Sequence, residues 1–271
     1  MDKSDLAIAI AEYDSMLVGF SGGVDSSLLS VVARRVLGRD RSIAAVGTSP
    51  SLPKGQLEQA RQIALQFDLN LVEVATDELD DPQYAANSTQ RCYYCKRELW
   101  TKLVDAAREH GMSVVAEGTN ADDLSEHRPG LAAADEFKIV QPLADAGYTK
   151  ELVRAEAREL GIPIWDAPAA PCLSSRLLYG LEVTRERLSQ VEGGETLLRD
   201  LGVEGDMRVR HRGDEARIEV PASEFDKIRE AKETIVSGFH KLGFVGVTLN
   251  LTGYRRGSLL TDKPPELEVL S

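Results

Sequence analysis

The chain has 271 residues, 42% of them hydrophobic and 28% charged, which suits one large soluble domain or two ordinary ones. A formal net charge of −12 argues against a broad nucleic-acid surface, because phosphate backbones recruit basic faces; a local basic pocket for a small phosphorylated ligand stays open. No stretch approaches the roughly 20 apolar residues of a membrane span, the opening M-D-K-S-D-L lacks a signal-peptide plan, and three cysteines are too few for a disulfide framework. A reducing, cytoplasmic setting without membrane attachment is therefore expected.

Short apolar strands at Met16–Phe20, Ser42–Thr48, Asn70–Ala75 and Ser113–Glu117 alternate with amphipathic helices. Leu57, Ala60, Ile63 and Phe67 recur at spacings of three and four, as do Leu99, Leu103 and Ala106, so each set lies on one helix face. This alternation predicts an α/β domain over residues 1–170, a parallel sheet with helices on both faces. Ligands of such sheets bind beyond the carboxyl ends of the strands. Thr149 is placed to cap a helix carrying Leu152, Val153, Ala157 and Leu160, which Gly161 and Pro163 stop.

The Pro-rich D-A-P-A-A-P-C-L-S-S-R at Asp166–Arg176 reads as a functional loop and domain junction. Beyond it the grammar changes to helix, strand, strand, helix, strand, at Thr184–Leu201, Met207–Arg212, Ala216–Val220, Ser223–Leu242 and Gly246–Leu251. That order predicts a smaller α+β domain over residues 171–271. Gly193 and Gly194 each cost about 1 kcal/mol against alanine inside a helix, so a break or kink is expected there.

V-G-F-S-G-G-V-D-S-S at Val18–Ser27 runs from a strand into a helix, the layout of a phosphate-binding turn, yet no lysine stands beside it. Backbone N–H groups from Ser21 to Val24, with the amino end of the helix, can hold an anion without side-chain charge. Gly22 and Gly23 supply permissive backbone angles and close approach. Ser21 and Ser26 add hydroxyl groups, and Asp25 can take Mg²⁺. Without a point charge at the terminal phosphate, phosphoryl transfer is poorly served. A pyrophosphate leaving group cradled whole fits better, which means adenylation by ATP. The plain alternative is a glycine-rich turn that binds nothing.

The three cysteines form C-Y-Y-C-K at Cys92–Lys96 and P-C-L-S-S-R around Cys172. Structural zinc wants four ligands, and His110, His127, His211 and His240 are scattered. Three thiolates suit a 4Fe–4S cluster with one iron left open to carry an extra sulfide. A thioredoxin-like pair, or cysteines sharing no ligand, are the alternatives. Arg208 and Arg210, two apart on a predicted strand, share one face with Arg212 beyond them. They read either as an anion site or as a solvated stripe balanced by Glu215 and Glu219.

S-G-G-V-D-S, together with E-G-T-N-A-D-D at Glu117–Asp123, resembles the PP-loop ATP pyrophosphatases, a superfamily that includes GMP synthetase, NAD synthetase and tRNA thiolases. The resemblance places Gly118 near the nucleotide and Asp122 or Asp123 near the metal; a solvated turn is the bland reading. With C-Y-Y-C-K, P-C-L-S-S-R-L-L-Y-G and R-V-R added in order, the chain from Met16 to Arg255 resembles the LarE family of ATP-dependent sulfur transferases. That resemblance implies adenylation of a carboxylate on a pyridinium bis-carboxylate mononucleotide and its conversion to a thiocarboxylate for the nickel-pincer cofactor of lactate racemase.

It also implies ATP, Mg²⁺ and a 4Fe–4S cluster on Cys92, Cys95 and Cys172, and assembly as a homo-oligomer. Cys172 is then a catalytic cluster ligand; in one-cysteine members of the family the matching cysteine surrenders its own sulfur. Lys96 is expected to stabilise negative charge, Ser175, Arg176, Arg208 and Arg210 to contact the substrate, and Glu195 to match an active-site glutamate. A tRNA thiolase is the runner-up, and an AMP-binding module without turnover the third reading.

Overall fold

Four apolar runs form parallel strands: β1 (Met16–Gly19), β2 (Ser42–Thr48), β3 (Leu71–Ala75) and β4 (Val114–Ala116). They lie side by side in the order β3-β2-β1-β4. The chain runs outward from β1 to β3 and then returns to place β4 on β1's other side. The carboxyl end of β1 is therefore the point where the winding reverses, the place where open α/β sheets bind ligands.

In this computed structural model, residues 4–125, 129–255 and 266–270 are described; His127 lies outside them. Helices of the first two-thirds are α1 (Asp5–Ala11), α2 (Val24–Leu37), α3 (Lys54–Gln66), α4 (Pro82–Ala85), α5 (Arg91–Glu109), α6 (Pro129–Glu136), α7 (Pro142–Asp145) and α8 (Lys150–Glu159). The chain divides into two units, Met1–Asp81 with Gln90–Ala170, and Pro82–Thr89 with Pro171–Ser271. The short α4 thus belongs with the second.

Strand alternation sorts the first unit's core into two layers. Met16 and Val18 of β1 join Leu28 and Val32 of α2 and Val153 and Ala157 of α8 on one side. Leu17 joins Trp100 and Leu103 of α5 on the other. Thr149 caps α8 as expected, its Oγ1 accepting the Leu152 N–H at 3.4 Å. The α/β architecture is the one predicted.

The second unit carries α9 (Arg185–Asp200), β5 (Arg208–His211), β6 (Glu215–Glu219), α10 (Phe225–Glu230), α11 (Lys232–Lys241), β7 (Gly246–Asn250) and β8 (Leu267–Val269). Its sheet runs β5-β6-β7-β8, parallel only between β6 and β7. Val209, Ile218, Val247 and Leu249 bury against Leu198, Ile228, Ile235 and Phe239 of the helices. The opposite face carries Arg208, Arg210, Arg217 and Glu219, all at least nine-tenths buried.

Two expectations for this unit need correction. No break occurs at Gly193-Gly194, and α9 is continuous. A Cβ on Gly193 would meet Leu242 at 2.7 Å, and one on Gly194 would meet the Phe239 ring at 3.0 Å. The glycines let α11 pack closely, which offsets their low helix propensity. The single helix expected over Ser223–Leu242 is interrupted at Ala231 between α10 and α11, and nothing in the side-chain pattern announces that. β8 went unforeseen.

Candidate active site

The turn after β1 has the geometry of an anion cradle. Gly22 sits at φ +73°, a conformation that costs any other residue about 1–2 kcal/mol. Gly23, the N-cap of α2, has φ −83° and ψ 165°, open to any residue, so only the first glycine is required by its backbone angle. From α3, Gln56 Nε2 donates to the Ser21 carbonyl and Gln59 Nε2 to the Gly22 carbonyl, each at 2.8 Å. Each trans peptide then turns its following N–H, on Gly22 and Gly23, away from α3. This pinning was not read from the sequence.

The hydroxyls organise the loop. Ser26 Oγ accepts the Ser21 N–H at 3.2 Å and donates to the Gly23 carbonyl at 3.1 Å, and Ser21 Oγ lies 3.1 Å from it. Val24 begins the helix and is buried. The loop after β4 lies directly on this turn: a Cβ on Gly118 would stand 2.8 Å from the Ser26 nitrogen. The close approach at Gly118 is thus to the cradle's backbone.

Acidic and amide groups meet above it. Asn120 Nδ2 donates to Asp25 Oδ1 at 3.1 Å, while Asn120 Oδ1 accepts the N–H groups of Asp122 and Asp123 at 3.0 and 3.2 Å. The other Asp25 oxygen pairs with Lys150 Nζ, and the Lys150 N–H donates to Asp122 Oδ2 at 2.8 Å. Lys96 Nζ lies 3.3 Å from Glu117 Oε2 and 4.4 Å from the Trp100 ring centre. Glu117, buried, also accepts from Thr119 and Gln141 at 2.9 and 3.0 Å. The expected Ser21–Ser26, Gly118 and Asp122–Asp123 elements therefore come together around Asp25. Asn120 and Lys150 join them unforeseen.

In the second unit, Cys172 opens a 3₁₀ turn (Leu173–Arg176). Its carbonyl accepts from the Ser175 N–H at 3.0 Å, Ser175 Oγ at 2.7 Å and Arg176 Nη1 at 2.9 Å. Arg176 makes a two-pronged pair with Glu195, at 3.0 and 3.1 Å. Glu195 also accepts the Val209 N–H at 3.2 Å, so both its oxygens are engaged within the protein. Arg210 pairs with Glu219 at 2.9 Å and donates to the Ser175 carbonyl at 3.0 Å.

Arg208 differs. Among the described residues it makes no ion pair, resting instead over the Tyr254 ring at 5.0 Å and donating to the Met207 carbonyl. Burial, and next the nearby Arg176 charge, push its guanidinium below the ordinary value. Arg176 and Arg210 thus each pair with a buried carboxylate, Glu195 and Glu219, and among the described residues Arg208 pairs with none. Arg208 is a buried cation and not part of a solvated stripe.

Cys92 and Cys95 are spaced i, i+3 near the amino end of α5, so they share a helix face as two ligands of one centre require. No disulfide involves Cys92, Cys95 or Cys172. Among the described residues, no group of three Cys, His, Asp or Glu side chains is gathered to hold a metal ion. His211 is buried, its Nε2–H donating to Gln190 Oε1 at 2.8 Å; burial, then Arg187, pull its pKa down to about 4. No helix among the described residues is long and apolar enough to cross a membrane.

A parallel sheet that places a lysine-free phosphate turn at its switch point defines a PP-loop ATP-using protein. Residues 6–104 match the NAD synthase family model. The chain is 30% identical over 212 residues to a glutamine-hydrolyzing GMP synthase of Enterococcus faecalis, covering 68% of this chain and 39% of that one. It is 42% identical over 250 residues to an uncharacterized protein of Synechocystis sp., 92% of each chain. It is 34% identical over 257 residues to the pyridinium-3,5-bisthiocarboxylic acid mononucleotide synthase of Lactiplantibacillus plantarum, covering 95% of this chain and 93% of that one. The chain belongs to the family of that synthase, the LarE-type ATP-dependent sulfur transferases.

Proposed function

We propose that this protein adenylates a carboxylate of a pyridinium bis-carboxylate mononucleotide and converts it to a thiocarboxylate, for the nickel-pincer cofactor of lactate racemase. A carboxylate oxygen attacks the α-phosphorus of ATP, the bond to the bridging oxygen breaks, and pyrophosphate leaves into the cradle of Ser21–Ser26. Asp25, with Asp122 and Asp123 nearby in the same network, is the oxygen donor for Mg²⁺. Lys96 offsets negative charge on the attacked carboxylate or the α-phosphate. A sulfur nucleophile then attacks the acyl carbon and AMP departs.

The observation that carries this reading is Arg208, a buried guanidinium that among the described residues pairs with no carboxylate. It lies on the strand whose Arg210 holds the turn of Cys172 and Ser175. A phosphate monoester on the substrate supplies the missing negative charge and brings the carboxylate toward the cysteine turn. The sulfur passes by way of Cys172. In the fuller form of the proposal, Cys92, Cys95 and Cys172 ligate a 4Fe–4S cluster, which when bound supplies an open iron for an extra sulfide. The placement of Cys172 in the arginine-held turn also supports donation of its own sulfur, leaving dehydroalanine.

The test is pyrophosphate release from ATP by anaerobically purified protein with the pyridinium substrate, followed by mass analysis of product and protein. Substrate-dependent pyrophosphate together with a thiocarboxylate product is expected. Release with tRNA and not with the pyridinium nucleotide would sink the proposal in favour of a thiolase. An unmodified protein mass with bound iron favours the cluster; a mass lowered by H₂S at Cys172 favours the sacrificed cysteine.

A further inference from the structure

The turn that carries Cys172 is a buried frame with two residues left partly open. Leu173, Ser174 and Arg176 are at least nine-tenths buried, while Cys172 and Ser175 are half-buried. Arg176 ties the frame to Glu195 of α9, and Arg210 of β5 ties it at the Ser175 carbonyl. The third tie comes from a distant part of the chain. Tyr84 of α4, 90 residues earlier, brings its hydroxyl to 2.6 Å from Ser174 Oγ, and both residues are fully buried. We propose that Tyr84 is a positioning residue for sulfur transfer: its phenol fixes Ser174 and thereby aims Cys172. The inference rests on the reading in which sulfur passes by way of Cys172, and deepens it.

The support behind the phenol is the first argument. Asn87, with φ +53° and no exposed surface, donates its N–H to the Tyr84 carbonyl at 3.0 Å. Its Nδ2 donates to the carbonyls of Leu178 and Leu181, each at 2.8 Å, and its own carbonyl accepts the Gly180 N–H at 3.0 Å. A left-handed conformation is sparsely populated outside glycine, and it persists where the surroundings over-determine it. These bonds do so at Asn87. Leu178 is bonded in turn to β5, its N–H donating to the His211 carbonyl at 3.1 Å. Tyr84 therefore reaches Ser174 from a base fastened to the chain just beyond the turn.

The chemistry of the pair is the second. Two apolar side chains of the same shape would fill this space at similar stability, because a buried hydrogen bond only replaces bonds to water that both partners lose. A hydroxyl pair adds direction: at 2.6 Å the contact lies at the short end of the normal O–H···O range and fixes the Ser174 rotamer. Ser174 stands two residues after Cys172, inside a turn whose Ser175 N–H bonds the Cys172 carbonyl at 3.0 Å. A shift of the turn therefore moves the thiol, and a misplacement of about 1 Å at reacting atoms can slow a reaction about a hundredfold.

The test uses Tyr84→Phe, which keeps the ring and removes the hydroxyl, and Ser174→Ala, which breaks the same bond from the other side. Pyrophosphate release and thiocarboxylate formation are followed through one turnover with saturating ATP and pyridinium substrate. In both variants thiocarboxylate formation should slow by roughly tenfold to a hundredfold while pyrophosphate release stays within about twofold of wild type. The double variant should be no slower than either single one, because each removes the same link. Alkylation of Cys172 by iodoacetamide, read by peptide mass analysis, needs no substrate and should change by about threefold or more in each variant. Thiocarboxylate formation within about twofold of wild type overturns the inference. Equal slowing of both steps also overturns it and makes Tyr84 a packing residue. Wild-type protein that forms no thiocarboxylate, while Tyr84→Phe still alters the alkylation of Cys172, overturns the proposed reaction and leaves the positioning of Cys172 standing.

Discussion

Gly22 and Gly23 are neighbours with opposite demands, and replacing each by alanine separates backbone strain from phosphate approach. Gly22 sits at φ +73°, and a Cβ there would stand 3.1 Å from the Ala60 Cβ and 3.3 Å from the Gln56 carbonyl oxygen. The left-handed conformation costs about 1–2 kcal/mol, and displacing α3 by a few tenths of an ångström adds roughly another 1. A loss of about 2–3 kcal/mol lowers the melting temperature of a unit this size by roughly 4–12 °C. At Gly23, φ is −83° and the nearest atom to an added Cβ is Ser21 Oγ at 3.4 Å. Gly23→Ala should therefore leave stability nearly unchanged while placing a methyl at the mouth of the cradle, with ATP affinity reduced. Both tryptophans, Trp100 and Trp165, belong to the first unit, so tryptophan fluorescence follows its melting directly. A Gly22→Ala melting temperature within about 2 °C of wild type would refute the strain argument. A Gly23→Ala variant melting as low as Gly22→Ala would refute the contrast.

Arg208→Met should leave stability unchanged or raise it by about 1 kcal/mol, because it removes a buried charge that pairs with no carboxylate among the described residues. It should also raise KM for the phosphorylated substrate while ATP binding persists; steady-state kinetics beside urea unfolding checks both halves, and marked destabilisation would show a structural role. His211 gives a pH signature. Its folded pKa of about 4 lies below the ordinary 6.5, so the unfolded chain binds the proton more readily. The stability it contributes is fully present above pH 6.5 and is lost as pH falls toward 4, amounting to roughly 3 kcal/mol. His211→Gln should flatten that part of the stability profile in urea titrations at pH 7 and pH 4.5, and an unchanged slope would assign the acid sensitivity elsewhere.

The first unit was legible because each of its signals is local. Strand, turn and helix follow one another within Met16–Leu37, and Thr149 announces α8 by a side-chain bond three residues long. What escaped is set by distance along the chain. Gln56 and Gln59 read as ordinary polar positions on an amphipathic helix until the fold lays α3 against the Ser21 and Gly22 carbonyls. The pairing of Arg176 with Glu195 is likewise invisible in a sequence where 19 residues and a change of element separate them. Gly193 and Gly194 misled for the same reason: their local cost was read, but the Leu242 and Phe239 side chains that need the space were out of view. Lys150 did leave a trace, a cation directly after an N-cap, where helix electrostatics disfavours it.

The excursion of Pro82–Thr89 into the second unit bears on the order in which the protein can be made. Asn87 Nδ2 donates to the carbonyls of Leu178 and Leu181, each at 2.8 Å, and the Val183 N–H donates to the Ala85 carbonyl at 2.8 Å. Tyr84 meets the Ser174 hydroxyl at 2.6 Å, both fully buried. On the ribosome Tyr84 and Asn87 emerge 90 to 94 positions before the partners they clasp, and at roughly 5–20 residues per second they wait several seconds or more for them. During that interval β1, β2 and β3, all on the amino side of the segment, can already pair, and the waiting segment is tethered at both ends to a folding body. No single cut yields the second unit whole: a fragment starting at Pro171 lacks its clasp, and one ending at Ala170 carries a buried tyrosine and asparagine with nothing to hold.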